Sequence, residues 1–186
     1  MKKIFAAAML LVLCAVAACD TLDEQFVFYI NKEKVKAITP AFPVGQLTVL
    51  DNMTILANAD TVFMRNRTRA ELVKEMTLDK FTLSITDSTG IKIDSTSADF
   101  DFLESVDVYI SADSLEEVRV AYLEDIPAND STLNYAINLN LTNVKLDAYL
   151  KKDKYIIQTR GRLRKAVADT VLVGTAVRFK AIADPI

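Results

Sequence analysis

The chain contains no histidine and no tryptophan, and only four glycines, four prolines and two cysteines in 186 residues. Without histidine there is no Ser-His or Cys-His pair, no imidazole to move protons at neutral pH, and none of the commonest transition-metal ligand. No Ser-x-x-Lys occurs to supply a lysine-assisted serine. Gly45, Gly90, Gly161 and Gly174 are scattered, so no glycine-rich loop exists to cradle a phosphate. A glycosidase needs only two carboxylates, but the absent tryptophan removes a favoured platform for sugar stacking. A small carboxylate hydrolase is therefore the weakest of the readings. The expectation is a protein that is not an enzyme, with no catalytic residues, no cofactor and no metal.

What is present is ordinary for a globular chain: 51% hydrophobic and 25% charged residues, enough for one sizeable core. There are 22 basic and 25 acidic side chains, an acidic balance that argues against nucleic acid as a partner.

The first residues carry an address. Met1-Lys2-Lys3 is a positive start, and Ile4 to Ala18 is an apolar run. That run is short of the roughly 20 residues that span a bilayer as a helix. It has the shape of a cleaved signal. Val16-Ala17-Ala18-Cys19 then resembles a bacterial lipobox, in which small residues precede a cysteine that is acylated, with palmitate among the chains, and becomes the mature N-terminus. The domain expectations are a signal peptide over 1–18, a lipidated acidic tether over 19–25 (Cys19 with DTLDEQ), and one domain over 26–186. Loss of Cys14 with the signal and acylation of Cys19 leave no thiol for a disulfide. Two or three acyl chains suffice for lasting membrane attachment, where one is marginal.

Beyond the tether the hydrophobic period is mostly two, the mark of strands with one wet face. Phe26–Ile30 opens the series, and Gln46–Leu50 and Met53–Leu56 follow a turn at Pro40 and Pro43. The stretch Phe26–Leu56 fits either the main body or a separate small lobe. Thr68-x-x-Glu71 has capping-box spacing and predicts a short helix through Leu72, Val73 and Met76. Phe81, Leu83 and Ile85 alternate with Lys80, Thr82 and Ser84, and Val106, Val108 and Ile110 with Asp107, Tyr109 and Ser111. Val118, Val120 and Tyr122 form a third set, and Tyr135, Ile137, Leu139 and Leu141 a fourth. Tyr155 to Leu163 and Val171 to Phe179 read as a long C-terminal hairpin turning near Val167, since their apolar faces then meet one core. The fold expected is all-β, an antiparallel sandwich of immunoglobulin-like type with one short helix.

Three groups of residues are candidates for binding. Arg160, Arg162 and Arg164 share one face of the last hairpin, with Lys151, Lys152, Lys154 and Lys165 nearby. In the hairpin register they face Thr170, Leu172 and Gly174. They read as a solvated face or as partners of acids on another strand, and otherwise as an anion grip for phosphate or sulfate on a glycan or lipopolysaccharide. Asp94, Asp99, Asp101, Glu104 and Asp107 cluster as calcium ligands do, yet match no EF-hand spacing and read as a charged sheet edge. Finally, seven of the 17 aspartates precede Ser or Thr, at Thr21, Thr61, Ser88, Ser95, Ser114, Ser131 and Thr170, where composition alone predicts about two. In every case the third residue is Leu, Val or Thr.

That triplet resembles the Asp-(Ser/Thr)-apolar acceptor for O-glycosylation in exported proteins of Bacteroidota; the same pairs are also favoured in turns that precede strands. Lipobox, acidic tether and an all-β body together resemble the envelope lipoproteins of that phylum. The stretches Leu72-Val73-Lys74 through Ile85 and Phe100-Asp101-Phe102-Leu103-Glu104-Ser105-Val106 through Ala112 are similar to segments of such proteins. The resemblance implies an outer-membrane lipoprotein, facing periplasm or exterior, and names no activity. Asp20, Asp23 and Glu24 resemble the acidic signal for surface display in that group, while Asp directly after the cysteine resembles an inner-membrane retention signal in enterobacteria. The function expected is a non-catalytic, lipid-anchored structural or interaction module with a protein partner. The alternative is a glycan or lipopolysaccharide binder using the arginine stripe.

Overall fold

The computed structural model describes residues 26–56, 59–86, 99–128 and 136–184. Positions 1–25, including Cys19 and Thr21, lie outside the described residues. Among the described residues nine strands run in chain order: β1 Phe26–Ile38, β2 Leu47–Leu56, β3 Val73–Thr86, β4 Leu103–Ala112, β5 Leu115–Leu123, β6 Ala136–Asn138, β7 Asn140–Leu141, β8 Lys154–Leu163 and β9 Val171–Ala183. They form two antiparallel sheets, one ordered β1-β9-β3-β6 and the other β2-β8-β4-β5-β7. The sheets pack face to face, with the Tyr155 ring of one standing edge-on to Phe179 of the other at 6.2 Å. The all-β sandwich expected from the period-two pattern is therefore the fold. Phe26–Leu56 belongs to the main body, since β1 pairs along its whole length with β9 and β2 pairs with β8.

The long C-terminal hairpin does not form. β8 and β9 lie in different sheets, β8 between β2 and β4 and β9 between β1 and β3. Their inward faces are as expected, with Tyr155, Ile157 and Leu163 buried on one and Val173, Val177 and Phe179 on the other. Both faces do meet the same core, but across it rather than side by side in one ladder. Val167, expected at the tip of a turn, is buried within the connection between the sheets.

The helix expected after Thr68 is also absent. A single 3-10 turn spans Ala70–Leu72, and Val73 and Met76 are buried strand residues. Thr68 does not cap; it is buried, and its hydroxyl donates to the Asp184 carbonyl at 3.0 Å. Among the described residues the α-helices are α1, Ala59–Arg65, and α2, Asp147–Leu150. α1 ends because Arg67 takes the left-handed conformation at φ 53°. The Thr68 N–H then donates to Phe63 O and the Arg67 N–H to Met64 O, closing a Schellman motif that usually carries glycine. The helix drives Phe63 into the core edge-on to Phe28, sealing one end of the sandwich.

Bulges explain two more departures. The register of β2 on β8 shifts between Val49 and Asp51, so Leu50 and Asp51 are both buried. Asp51 then meets Lys34 of β1 at 2.7 Å across the open side between the sheets. In β5 the register slips at Val120, between Ala121 opposite Val108 and Arg119 opposite Tyr109. Tyr122 thus lies opposite Asp107 on the outer face rather than with Val118 and Val120. The strand at Ile137–Leu141 also divides: β6 joins one sheet and β7 the other, with buried Leu139 between them. On β3 the face expected to be wet is partly dry. Thr82, Ser84 and Thr86 are buried beside Ala176, Gly174 and Leu172, and each hydroxyl donates to an adjacent strand.

The buried hydrophobic residues extend from Phe28 to Ala183, so a chain beginning at Asp20 retains the whole described core. Truncating Phe63 to alanine should cost about 3–5 kcal/mol in urea unfolding. Leu56→Ala, at a side chain 67% exposed, should stay within about 0.5 kcal/mol. Similar losses for both would mean that α1 does not close the core.

Candidate functional site

The three candidate arginines reach β8 and its end, but they do not act as one stripe. Arg160 stacks over the Tyr109 ring, 4.2 Å from its centroid, and its Nη2 donates to both Glu117 carboxylate oxygens at 2.6 and 2.8 Å. Its Nε–H donates to Gln158, whose amide in turn donates to Asn52. Arg164 is tied to the backbone around it: its main-chain N–H donates to Phe102 O at 2.9 Å, its side-chain Nε–H to Leu103 O at 3.1 Å, and its Nη2 to Ile126 O. Arg162 is exposed between Leu47 and Ser105 of the neighbouring strands. The facing residues are thus on β2 and β4, not Thr170, Leu172 and Gly174, because β9 lies in the other sheet. One guanidinium is neutralised, one is held by carbonyls, and Arg162 alone faces solvent, so the three do not combine into a single grip.

A fourth arginine, with no signal in its sequence spacing, completes the outer face. Arg119 of β5 lies over the Tyr122 ring at 4.4 Å and donates to Asp107 at 3.0 Å and Glu124 at 3.3 Å. The hydrogen bond it donates to the Asp107 carboxylate raises the arginine's pKa above its ordinary value. The outer face of the β2-β8-β4-β5 sheet therefore carries two adjacent Arg–Tyr–carboxylate units, flanked by exposed Leu47 and Val49. Planar side chains locked in this way lose little entropy when a partner covers them, and tyrosine and arginine are favoured in protein interfaces. Tyrosines alternating with Asp107 and Arg119 were visible in the sequence; the bulge that brings Tyr122 alongside was not.

A cleft of about 240 Å³ lies between β1, the end of β2 and α1. Ile30, Ile55, Val62 and Leu150 wall it, Lys32 and Arg65 add charge, and Tyr155 forms part of the lining. Burial holds the Tyr155 phenol well above the ordinary tyrosine range.

The acidic cluster is dispersed. Asp99 accepts the Asp101 N–H at 3.1 Å, Asp101 pairs with Lys165, and Asp107 pairs with Arg119. Asp99–Phe102 is a bend and turn leading into β4, with Phe100 and Phe102 both buried, rather than an alternating strand edge. Asp94 lies outside the described residues, and among the described residues no group of three or more acids or cysteines is placed to hold a metal. Of the seven hydroxyls after aspartate, Ser88, Ser95 and Ser131, like Thr21, lie outside the described residues. Thr61, Ser114 and Thr170 are exposed. Ser114 takes φ 64° in the two-residue link between β4 and β5, and Thr170 immediately precedes β9, as the turn explanation requires. Thr61 sits in α1 instead, ahead of no strand.

The chain matches no protein-family model and none of the curated protein sequences. Among the described residues no helix is long and apolar enough to cross a membrane.

Arg164→Ala should cost about 2 kcal/mol in urea unfolding, since the guanidinium bonds to the Leu103 and Ile126 carbonyls are lost with the side chain, while Arg162→Ala should stay within about 0.5 kcal/mol. Equal effects would return Arg164 to the surface. In alkali, the neutral Tyr155 phenol favours the folded state fully below about pH 10, where an unfolded tyrosine ionises. That contribution is lost progressively as pH rises above it, because only the unfolded state then releases the proton. Tyr155→Phe should flatten the fall of stability above that pH, and an unchanged profile would refute the assignment.

Proposed function

We propose that this protein is a non-catalytic, lipid-anchored module of a bacterial envelope, acting through protein contacts rather than chemistry. The observation that carries the reading is the spacing at the N-terminus: the small-small-Cys of Ala17-Ala18-Cys19 follows an apolar run, and β1 opens only seven residues later. A lipid on Cys19 would hold the sandwich close to a membrane. The outer sheet face with Arg160, Tyr109, Arg119 and Tyr122 is the partner surface this reading favours, because its side chains are rigid, amphipathic and already ordered. The division of the arginine stripe leaves no comparable support for a glycan grip built from all three residues.

Metabolic labelling with palmitate tests the anchor. The full chain expressed in a Bacteroidota host should take up label and fractionate with the outer membrane. Cys19→Ala should take up none and retain its first 18 residues. Labelling that survives the substitution would remove the lipoprotein reading. Protease treatment of intact and lysed cells then assigns the face of the membrane on which partners are to be sought.

A further inference from the structure

The strand ladders bring one set of chain ends together. Phe26 lies opposite Ala183, Val73 opposite Ala183, Leu56 opposite Lys154, and α1 crosses from β2 towards β3 at that same end. The tether therefore enters the domain at the end sealed by Phe63. The corner made by β1, the end of β2 and α1 is where exposed large hydrophobic residues concentrate. Phe26, Val27 and Tyr29 are there, and so are Leu56 and Met64, the two most exposed of the molecule's described large hydrophobics at 67% and 65%. Lys32, half-buried at the cleft, and exposed Arg65, Arg67, Arg69 and Lys154 surround them, against Glu33, Glu71 and Asp153. Asp184 and Glu75, also at this end, are already paired with Lys74 and Lys145.

We infer that this corner is a lipid-facing surface that rests on an anionic bilayer, with Leu56 and Met64 entering the headgroup layer and Arg65, Arg67, Arg69 and Lys154 lying against lipid phosphates. The inference rests on the anchor reading for what brings the corner to a membrane. Seven residues, Cys19 to Gln25, can span at most about 25 Å even fully extended. An acylated Cys19 thus keeps this end, and not the opposite one, within reach of the bilayer. Apolar side chains ringed by arginine suit the interfacial layer, where aliphatic groups insert and cations meet phosphate. The cleft between Ile30, Leu56 and Arg65 opens on the same corner and gives a headgroup a place to seat beside Lys32. The turn between β4 and β5 at Asp113, and Glu116 and Glu117 at the start of β5, lie across the sheet from β2. That distribution tilts the domain so that the β1–β2 corner is the part in contact.

The test uses the chain from Asp20 to Ile186, which has the full described core but no lipid, so its result is independent of Cys19. Sedimentation with phosphatidylcholine vesicles, with and without phosphatidylglycerol, should show binding only to the anionic ones and release by salt. Each basic side chain at a lipid surface is worth about fivefold in partitioning. Arg65→Glu with Arg69→Glu should therefore weaken binding by about tenfold or more. The charge-matched pair Lys36→Glu with Arg162→Glu, away from the corner, should change it less than about twofold. Arg67→Gly keeps the left-handed residue in its preferred type while removing a charge, so its weakening of about fivefold cannot be laid to unfolding. Because the chain has no tryptophan, a single one reports its own position. Leu56→Trp emission should shift to the blue on anionic vesicles, and that of Val44→Trp, beside Leu163 at the other end, should not. No sedimentation with anionic vesicles, equal losses for the two charge pairs, or an unshifted Leu56→Trp would each overturn the inference. Palmitate labelling together with absent vesicle binding would leave the anchor standing and remove this surface.

Discussion

The passage of the chain from the middle of one sheet to the middle of the other, between Leu163 and Val171, is the constraint on which the rest of the sandwich depends. β8 and β9 each have a neighbour on both sides, so four further strands take their register from these two. The crossing is held where it leaves β8: the Arg164 guanidinium reaches the carbonyls of Leu103 and Ile126, its main-chain N–H donates to Phe102 O, and Val167 is buried in the connection. Lys165 pairs with Asp101 alongside. A charged donor satisfying carbonyls that a connection would otherwise leave unpaired is worth more than a surface ion pair. The structure therefore uses Arg164 as a fastening, and that use removes it from any set of ligand-binding arginines.

A similar economy operates at the edges. β1 and β2 are the outermost strands on one side of the two sheets, and β1 is 13 residues long. Long edges invite pairing with other chains, and inward-pointing charge is one of the ways to discourage it. Lys32, Lys34 and Lys36 share the inward face of β1, and Lys34 bridges to Asp51 of β2, which the bulge at Leu50 turns toward it. The bulge, the buried aspartate and the lysine are thus one device. It closes the side of the sandwich polar rather than apolar, and Asp51 is affordable there because Lys34 lies 2.7 Å away.

Alternation of side chains was sufficient to read which residues point inward, and it did so for Phe81 to Ile85, Val106 to Ile110, Tyr155 to Leu163 and Val173 to Phe179. It could not say which strand lies beside which. Two strands whose apolar faces agree in parity can be neighbours in one ladder or can face each other across the core, and period two is the same in both cases. The hairpin expected around Val167 failed for that reason. Bulges were equally hidden, since one extra residue such as Val120 reverses the faces beyond it without any local signal in composition. α1 escaped because seven residues give too little periodicity to register, and Thr68-x-x-Glu71 misled because the Thr68 hydroxyl is taken by a carbonyl 116 residues away. The arginines could be placed on one face from their spacing; their partners Glu117, Tyr109 and the carbonyl of Ile126 are contributed by strands and loops far along the chain.

These features leave the molecule with two surfaces of different character. The outer face of the β2-β8-β4-β5 sheet is ordered and largely charge-compensated, with Arg160 and Arg119 each held by a carboxylate and a tyrosine ring. The corner at β1, β2 and α1 has exposed Arg65, Arg67 and Arg69 beside the strongly exposed Leu56 and Met64. The first arrangement discriminates by shape, since its side chains are fixed before any partner arrives. The second suits a fluid surface that offers charge and depth but no fixed shape. Because the Arg160 side of the sheet and the α1 corner do not share side chains, a domain resting on its corner would keep the sheet face uncovered. Attachment and recognition could then proceed together, each governed by its own set of residues.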